Sequence, residues 1–580
     1  MKKKLLMLLS LTMALTLVLS ACGGSKSEGD KKDASQSTQT PAESGAAKEE
    51  LVSEGVIPAS NPAAVPDVAK ARKDSMILGI GAPSGIFLPT HAESQYDRYV
   101  ADSMFNYLFE IQKDGSYSED LAESYTISDD KLTYTFKLKE GLKFSDGTAL
   151  TAEDVAFSMH VYYDKAYDGP SDIELYAPIK GGVDYKAGKA TSISGVKVVD
   201  PRTISITTTE QKATALNTLG QLGILSKAYY GKDYKQGSLD FTNFYTNPLG
   251  NGRYKLEKFT AGQEAVLVAN EHYHGGKPKV NKLIYKFTNK DTNIQLLQTG
   301  ETDLDDITVS VDAVTQLKDL GFLNVNLYPT NGYGYIAFNH KKDKFKDQKV
   351  RQALAYGLNR QEIVDAVFQG YADVIDVPQS KLSWSYTDEV TKYNFDLEKA
   401  KQLLEEAGWK VGADGIREKN GEKFKIIFSA AAESEVNDAI IPVAQDNYKQ
   451  LGIDFVAEVM DFNAVKDKRK KGDFDMAFMA WSLTPDPQVG QNVFGTGGSQ
   501  NDDGYSNKKV DELFTKAGKE IDPEKRKLIF HELYQELNKD LPYIFMYQRR
   551  DMWPISDRLK GFDISPYKDF TFDLQTITIQ

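Results

Sequence analysis

The histidines are the first residues whose type and spacing suggest chemistry, because a close pair can chelate a metal ion. Of the six histidines in the chain, only His272 and His274 are separated by a single residue. Both lie in a turn that runs from Asn270 to Pro278, and no third ligand is near them in the sequence. We therefore expect no metal site at this pair.

A run of glycines partly matches the loop that cradles phosphate groups in nucleotide-binding proteins. Gly79 and Gly81 are followed by Gly85, but the third glycine is misplaced and Pro83 interrupts the run. A strand end that turns into a loop is the better interpretation. The chain also lacks the sequences Gly-Lys-Ser/Thr, Gly-x-Ser-x-Gly and His-Glu-x-x-His, which mark three common classes of active site.

Pairs of acidic residues are the remaining candidates for acid–base chemistry. The pairs Asp305-Asp306 and Asp502-Asp503 are examples, and such pairs are usually found on solvated faces. No set of residues assembles a nucleophile, a general base and an oxyanion hole. The sequence therefore argues against an enzyme.

Composition and charge narrow the class of protein further. The 580 residues include 70 Lys and Arg against 83 Asp and Glu, which gives a net charge of −13. An acidic chain has no broad attraction to nucleic acid, so we expect no nucleic-acid partner. The single cysteine excludes an intrachain disulfide.

That cysteine, Cys22, follows a segment typical of an export signal. Three lysines at positions 2–4 precede the uncharged run Leu5–Ser20, which is shorter than the roughly 20 residues that a membrane-spanning helix needs. The run ends in Leu-Ser-Ala-Cys, which resembles the lipobox of bacterial lipoproteins. We expect residues 1–21 to be a lipoprotein signal peptide and Cys22 to carry the lipid, although an ordinary secretory signal with an incidental cysteine is the alternative.

Residues 22–70 differ sharply in composition from the rest of the chain. They are rich in Gly, Ser, Lys, Glu, Asp, Gln, Pro and Ala, and no aromatic residue occurs before Phe87. Such a segment buries too little apolar surface to offset the entropy lost on ordering. We expect a lipid-anchored flexible linker here, apart from weak helicity in Val65–Arg72.

The rest of the chain reads as one continuous α/β body without internal repeats. Leu132–Leu138 alternates apolar and polar residues, which predicts a half-buried strand, and Thr151-x-x-Asp154 predicts a capped helix start. Similar patterns predict helices in Val350–Leu358, Asn359–Phe368 and Ala400–Ala407, and strands in Ile453–Val459 and Phe474–Ala480.

Several segments, in order along the chain, resemble family 5 extracellular solute-binding proteins, the oligopeptide- and dipeptide-binding subunits of ABC importers. The motifs that carry this resemblance are Leu121–Val155, Asn247–Tyr254, Asn270–Lys279, Lys349–Arg360, Asp396–Trp409 and Tyr505–Leu513. His274 stands where the family often has Trp. The resemblance covers nearly the whole chain after residue 75.

The resemblance implies a two-lobed α/β fold of the periplasmic-binding-protein type, with two hinge crossings, an enlarged first lobe and a ligand cleft between the lobes. Lobe I would comprise residues 71–327 and 547–580, and lobe II residues 328–546. The hinges are expected near Tyr328–Tyr333 and Phe545–Gln548. The sequence itself supports part of this division, because residues 549–580 are too few to form a core of their own and must return to an earlier sheet.

The implied function is capture of extracellular oligopeptides for an ABC permease and its ATPase. The expected protein is a monomer without a cofactor, lipid-anchored on the outer side of the cell membrane in a Gram-positive type of envelope. One alternative is the same fold with another ligand, such as an oligosaccharide, a nickel chelate, haem or an opine. The other is a surface receptor or adhesin without transport, or an enzyme on this scaffold.

The expected ligand contacts begin at the end of the predicted strand Phe474–Ala480. In peptide-binding relatives the loop there resembles Trp-x-x-Asp, and its acid accepts the peptide's α-ammonium group. Here Thr484 occupies that position, and the nearest acid is Asp486 within Pro-Asp-Pro. Either Asp486 binds the amine, or it only forms the turn and the ligand's N-terminus is not fixed.

Aromatic side chains offer large contact areas at low entropic cost, so Trp481 is a stronger candidate than Asp486. The other expected contacts are Ser482 and Leu483 in the same loop, Trp384 and Tyr386 in the Ser383–Tyr386 loop, and Ser84, Gly85, Ile86 and Phe87 after the first strand of lobe I.

Overall fold

A computed structural model describes residues 51–232, 234–432 and 434–580. The predicted signal peptide, Cys22 and the linker up to residue 50 lie outside the described residues. Within the described ranges no helix is both long enough and apolar enough to cross a bilayer.

The described chain alternates strands and helices from end to end. The strands are β1 (Gly55–Ile57), β2 (Ser75–Ile80), β3 (Phe109–Ile111), β4 (Tyr117–Glu119), β5 (Ala122–Ile127), β6 (Thr133–Leu138), β7 (Val196–Asp200), β8 (Thr203–Thr207), β9 (Tyr254–Thr260), β10 (Glu264–Ala269), β11 (Lys282–Phe287), β12 (Leu323–Pro329), β13 (Gly332–Phe338), β14 (Ala372–Val374), β15 (Lys410–Val411), β16 (Arg417–Lys419), β17 (Glu422–Lys423), β18 (Lys425–Ala431), β19 (Asp454–Met460), β20 (Met476–Ser482), β21 (Tyr543–Ser556), β22 (Leu559–Lys560) and β23 (Thr578–Ile579).

The helices are α1 (Asp67–Ala71), α2 (Gln95–Met104), α3 (Ala152–Tyr162), α4 (Ile173–Tyr176), α5 (Gly182–Lys186), α6 (Ala215–Gly220), α7 (Lys227–Tyr230), α8 (Asn293–Thr299), α9 (Val311–Asp319), α10 (Asp343–Lys346), α11 (Gln348–Tyr356), α12 (Arg360–Phe368), α13 (Leu397–Glu406), α14 (Glu435–Gln450), α15 (Phe462–Lys471), α16 (Gln491–Phe494), α17 (Lys508–Lys519) and α18 (Pro523–Asp540). Short 3₁₀ turns lie at Pro62–Ala64, Thr242–Phe244, Pro487–Gly490 and Phe570–Asp573.

Local sequence patterns account for many of these elements. The alternating run predicted as a strand forms β6, whose apolar side chains Tyr134, Phe136 and Leu138 are buried. The predicted capping box at Thr151 opens α3 with both of its hydrogen bonds present. Asn359 caps α12 by accepting a hydrogen bond from the Glu362 amide.

An eight-stranded sheet runs through the molecule in the order β1-β12-β21-β13-β20-β18-β19, with β14 also paired to β21. The long strand β21 pairs through its first half with β13 and through its second half with β12. The chain crosses between the two parts of the sheet at the β12–β13 connection and within β21. These crossings lie where the resemblance places the hinges.

Two four-stranded sheets belong to the chain before β12. Their orders are β2-β11-β10-β9 and β5-β6-β8-β7. Two apolar cores draw all of their fully buried residues from 333–547. The other three cores draw theirs from 65–327 and 552–577, except for Tyr371. The lobe boundaries themselves remain predictions.

The flexible-linker prediction is wrong for the residues from Gly55 onward. Strand β1 pairs antiparallel with β12, with Gly55 opposite Leu327, and α1 follows it. Val65 and Ala69 are buried in a core formed with β12 and α9. Backbone pairing to a sheet edge and two small apolar side chains order this segment without any aromatic residue.

The C-terminal segment returns to the first sheets, as expected, and a buried ion pair fixes it there. The Arg558 guanidinium donates to both carboxylate oxygens of Asp303 at 2.6 and 2.7 Å. It also donates to the carbonyls of Arg72 and Ser75, each at 2.9 Å. Asp303 is fully buried and Arg558 is 5% exposed, so one charged cluster ties the C-terminal segment to the start of the body.

Replacing Arg558 with Ala should therefore destabilise the protein strongly. It would leave the Asp303 carboxylate buried with a single remaining guanidinium partner, at a cost of about 3–5 kcal/mol in the free energy of unfolding. Denaturant unfolding measures this. Lys560→Ala is the matched control, because its pair with Asp557 is more exposed and should contribute about 0–1 kcal/mol. Equal losses in the two variants would show that the buried cluster does not hold the C-terminal segment.

Candidate functional site

A cavity of about 680 Å³ lies where the two parts of the long sheet meet. We call it the central cleft. Its walls are α2, the β12–β13 connection, the end of β20, the middle of β21 and the loop before Phe570. It has the size of a small-molecule or short-peptide site and draws residues from both predicted lobes.

The end of β20 presents an open backbone edge to the central cleft. On one side β20 pairs with β13 along its whole length. On the other side β18 pairs only with Met476 and Ala477, and no other described strand continues that ladder. Ala480 and Ser482 line the cleft and are exposed.

The alternation of hydrogen bonds along β20 shows which of its backbone groups face this edge. The Leu483 amide donates to the Asn331 carbonyl at 2.8 Å, so Leu483 and every second residue before it bond towards β13. In an antiparallel ladder the intervening residues point the other way. The N–H and C=O groups of Ala480 and Ser482 are therefore directed at the open edge.

The predicted loop after this strand does reach the cleft. Trp481, Ser482, Leu483 and Thr484 all line it, and the Trp481 ring stacks on Tyr335 with 6.1 Å between centroids. A smaller cavity of about 130 Å³ lies on the other side of the loop, with mainly apolar walls. The loop thus separates the cleft from a pocket that can take one side chain.

Asp486 is already paired within the protein. Its two carboxylate oxygens accept hydrogen bonds from the Arg526 guanidinium at 2.8 and 2.9 Å. One oxygen also accepts from the Gln488 amide at 2.9 Å, which caps the following 3₁₀ turn. These contacts favour the turn-forming role over the expected amine-binding role.

The two aromatic residues of the Ser383–Tyr386 loop have different positions. Trp384 lines a second cavity beside the central cleft, and the Arg526 guanidinium lies over its ring at 5.5 Å. The Tyr386 hydroxyl donates to Asp388 at 2.8 Å. Tyr386 lines neither of these cavities, so the structure does not support it as a ligand contact.

Residues 84–87, which we expected to contact the ligand, do not line the central cleft. The amides of Ser84, Gly85 and Ile86 all donate to the buried Asp97 carboxylate, at 2.8 to 3.0 Å. Phe87 is fully buried. The acid at the first turn of α2 therefore occupies the backbone donors of this loop, and the loop lies outside the central cleft.

The sequence analysis missed an acidic wall of the cleft, formed by Asp306, Asp551 and Asp569. Desolvation in the cleft, together with the Asp551 carboxylate, raises the pKa of Asp306 to about 6. Desolvation and the nearby Asp102 raise the pKa of Asp569 to about 6. Arg549, 3.3 Å from Asp551, balances only part of this charge.

The one sequence signal for this wall was the Asp305-Asp306 pair, which we had expected on a solvated face. Asp305 is instead buried, and this burial raises its pKa to about 7. The second such pair also departs from the expectation, since Asp503 is fully buried and binds both Arg469 and Tyr543. In each pair one of the two acids is buried, so adjacency alone did not indicate that both are exposed.

The two histidines lie in the turn after β10 and are partly buried. His274 Nε2 lies 2.8 Å from the buried Asp120 carboxylate, whose other oxygen accepts a hydrogen bond from Asn106. Among the described residues, no group of three or more His, Cys, Asp and Glu side chains is arranged to hold a metal ion.

Comparisons of the sequence with protein families and with known proteins agree with one another. The model of "Bacterial extracellular solute-binding proteins, family 5 Middle" matches residues 116–502. The oligopeptide-binding protein AppA of Bacillus subtilis is 29% identical over 98% of this chain and 97% of its own. Heme-binding protein A of Haemophilus influenzae is 29% identical over 80% of this chain and 85% of its own.

Solved structures share the fold. AppA from Bacillus subtilis in complex with a nonapeptide has a TM-score of 0.70 at 26% identity, covering 88% of this chain and 99% of its own. The ABC transporter substrate binding protein CtaP from Listeria monocytogenes has a TM-score of 0.76 at 25% identity, with the same coverage. The expected two-lobed α/β fold is confirmed.

If Asp486 and Arg526 form a structural pair, replacing either should destabilise the fold. We expect Asp486→Asn and Arg526→Gln each to lower the free energy of unfolding by about 2–3 kcal/mol, since each leaves a largely buried charge without its partner. Their combination should cost less than the sum of the two, which chemical denaturation can measure.

Asp388→Asn is the control, because Asp388 is 73% exposed in its pair with Lys392 and should change stability by about 0–1 kcal/mol. Additive effects of the two substitutions at the Asp486–Arg526 pair would refute the structural role.

Proposed function

Because the chain belongs to the bacterial extracellular solute-binding proteins of family 5, we propose that it captures oligopeptides and delivers them to an ABC importer. In this proposal it is a binding protein without catalytic activity, and its partners are a membrane permease and an ATPase. Similarity to the oligopeptide-binding protein AppA, whose structure is a nonapeptide complex, supports a peptide as the ligand.

The open edge of β20 is the observation that carries this proposal. A peptide has a backbone donor and acceptor at each non-proline residue, and these must be satisfied when the peptide is buried. Ala480 and Ser482 offer matching groups in the central cleft, so that an extended peptide can add as a further strand. Such recognition does not depend on the peptide's sequence. It favours a peptide over the non-peptide solutes considered above.

Capture also requires that the ligand be enclosed. Hydrogen bonds outside the central cleft also join the predicted lobes, and two of them are examples. The Ala213 amide donates to the Gly518 carbonyl at 2.8 Å, and Asn492 Nδ2 donates to the Tyr176 hydroxyl at 2.9 Å. They support a closed form that holds the ligand and that the permease recognises.

We propose that the protein is a lipoprotein, anchored through Cys22 on the outer side of the cell membrane. The support is the lipobox-like sequence at the end of Leu5–Ser20. In this proposal the segment between Cys22 and β1 tethers the protein to the membrane. Tethering raises the concentration of the protein at the permease.

Substituting Cys22 with Ser tests the anchor. The thiol is the group to which the lipid is attached, so the Cys22→Ser protein should be released into the medium or accumulate with its signal peptide uncleaved. Membrane fractionation and intact-mass measurement distinguish these states. Ser25→Ala, three residues away, should remain membrane-bound with the lipid mass. A Cys22→Ser protein that stays in the membrane at the same mature mass would rule out lipidation at this residue.

Substituting Ala480 with Pro tests the peptide-binding edge. Proline removes the N–H that faces the cleft without removing a bond to β13, so peptide affinity should fall at least about tenfold. The probe is a defined nonapeptide, measured by titration calorimetry. Ala480→Ser keeps the N–H and should bind within about twofold of wild type. Unchanged affinity in a folded Ala480→Pro protein would contradict strand addition.

The same nonapeptide in free and N-acetylated forms tests the amine. Since Arg526 occupies the Asp486 carboxylate, we expect both forms to bind wild type with similar affinity. Asp486→Asn should not change their ratio. A large loss on acetylation that disappears in Asp486→Asn would restore Asp486 as the amine site.

A further inference from the structure

A second cavity of about 660 Å³ lies beside the central cleft. The two cavities share Tyr117 and Pro485 in their walls, so they adjoin at these side chains. One side of the second cavity is formed by β4–β6 and α6. The other is formed by Trp384 and the start of α18. Like the cleft, it lies between the two predicted lobes.

Its walls are mainly apolar and aromatic. We call it the aromatic chamber, with the side chains of Phe109, Tyr125, Tyr134, Leu216, Trp384 and Ile521. Phe109 and Tyr125 pack together with 5.3 Å between ring centroids. Rings that are held in place by their neighbours offer a ready surface for an apolar group.

Two of these side chains are far more exposed than large apolar residues usually are in a folded body. Tyr125 is 38% exposed and Ile521 is 45% exposed, and they line the chamber from opposite lobes. A contiguous exposed apolar surface within a cavity is typical of a ligand-binding groove. Burying both at once requires an apolar group between them.

We propose that the aromatic chamber binds an apolar side chain, preferably an aromatic one, of a peptide whose backbone lies in the central cleft. This inference rests on the proposed function and adds a specificity site to it. The peptide would run along the open edge of β20 and pass Pro485 into the chamber.

The adjacency of the two cavities identifies this occupant. Pro485 directly follows the cleft-lining loop and also lines the chamber. A peptide that leaves the open edge at Ser482 therefore meets the chamber next. Each extended residue spans about 3.3 Å, so a long peptide can reach both cavities, whereas a dipeptide in the cleft cannot.

The charges at the chamber rim fit a neutral side chain. Lys131 and Lys212 carry positive charge there, while Asp114, Glu119 and Glu520 carry negative charge. This mixture gives no strong field of one sign. Because charges of both signs line the chamber, neither an anionic nor a cationic group is selected.

Trp384 is held rigidly enough to act as a chamber wall. Arg526 lies over its ring at 5.5 Å and is itself fixed by its two bonds to Asp486. Phe530 packs edge-on against the same ring at 5.7 Å. A preorganised wall loses little entropy on binding.

The test uses a set of nonapeptides composed of Ala and Ser, with a single Trp placed at each position in turn, and the Trp-free parent. Titration calorimetry on wild type should show one position, or two adjacent alternatives, at which Trp tightens binding by about 10- to 100-fold. The emission of that ligand Trp should shift to shorter wavelength on binding.

Tyr125→Ser and Ile521→Ser each remove one wall of the chamber. Each should therefore reduce the gain in affinity that Trp gives by about tenfold. Both side chains are exposed, so the fold should tolerate the changes, and affinity for the Trp-free parent should be retained. Val183→Ser and Leu528→Ser are matched controls, since these residues are 58% and 66% exposed elsewhere. They should leave the preference intact.

The outcomes separate this inference from the proposed function. A Trp preference that survives both chamber variants would overturn the chamber as its site. Equal affinity for every peptide of the set would overturn the specificity but leave peptide capture standing. No measurable binding of any peptide to wild type would reject peptide capture and the chamber together.

Discussion

The amide of Gln548 is the interaction on which the arrangement of the two predicted lobes depends. This side chain is fully buried at the point where β21 changes partner from β13 to β12. Its Nε2 donates to the Thr330 carbonyl and to the Ser380 hydroxyl, both at 2.7 Å, and its Oε1 accepts from the Lys381 amide at 3.1 Å. Both crossings are thus joined by one fully satisfied polar group, and a buried group of this kind is costly to leave unpaired.

The ligand site follows from this junction. Strand β21 continues through the junction and pairs with both β12 and β13. The end of β20 pairs with the start of β13, so it lies beside the β12–β13 connection. β18 pairs only with the first residues of β20, so the rest of that strand has backbone groups directed into the cleft. The cleft therefore combines a fixed hydrogen-bonding edge with walls of mixed character, acidic at Asp306 and aromatic at Trp481. An edge of this kind would be a hazard on an outer surface, and its position between the lobes protects it.

Much of the fold was predictable because its signals are local. The alternation in β6 and the caps at Thr151 and Asn359 each involve residues within one turn or strand, and the structure confirms them. The order of family motifs gave the two-lobed fold. Strand β1 was not predictable, since its pairing depends on the edge of β12, more than 250 residues away in the sequence.

The site was predictable only where the strand end itself forms it. The sequence left the role of Asp486 open because its partner, Arg526, lies 40 residues further along the chain. Pairing with Arg526 does more than occupy the acid. It places a guanidinium over Trp384, so that the carboxylate which could have fixed a ligand's amine instead stiffens one wall of the chamber. A site that lacks a contact to the peptide's N-terminus but offers a surface to its side chains selects peptides by those side chains.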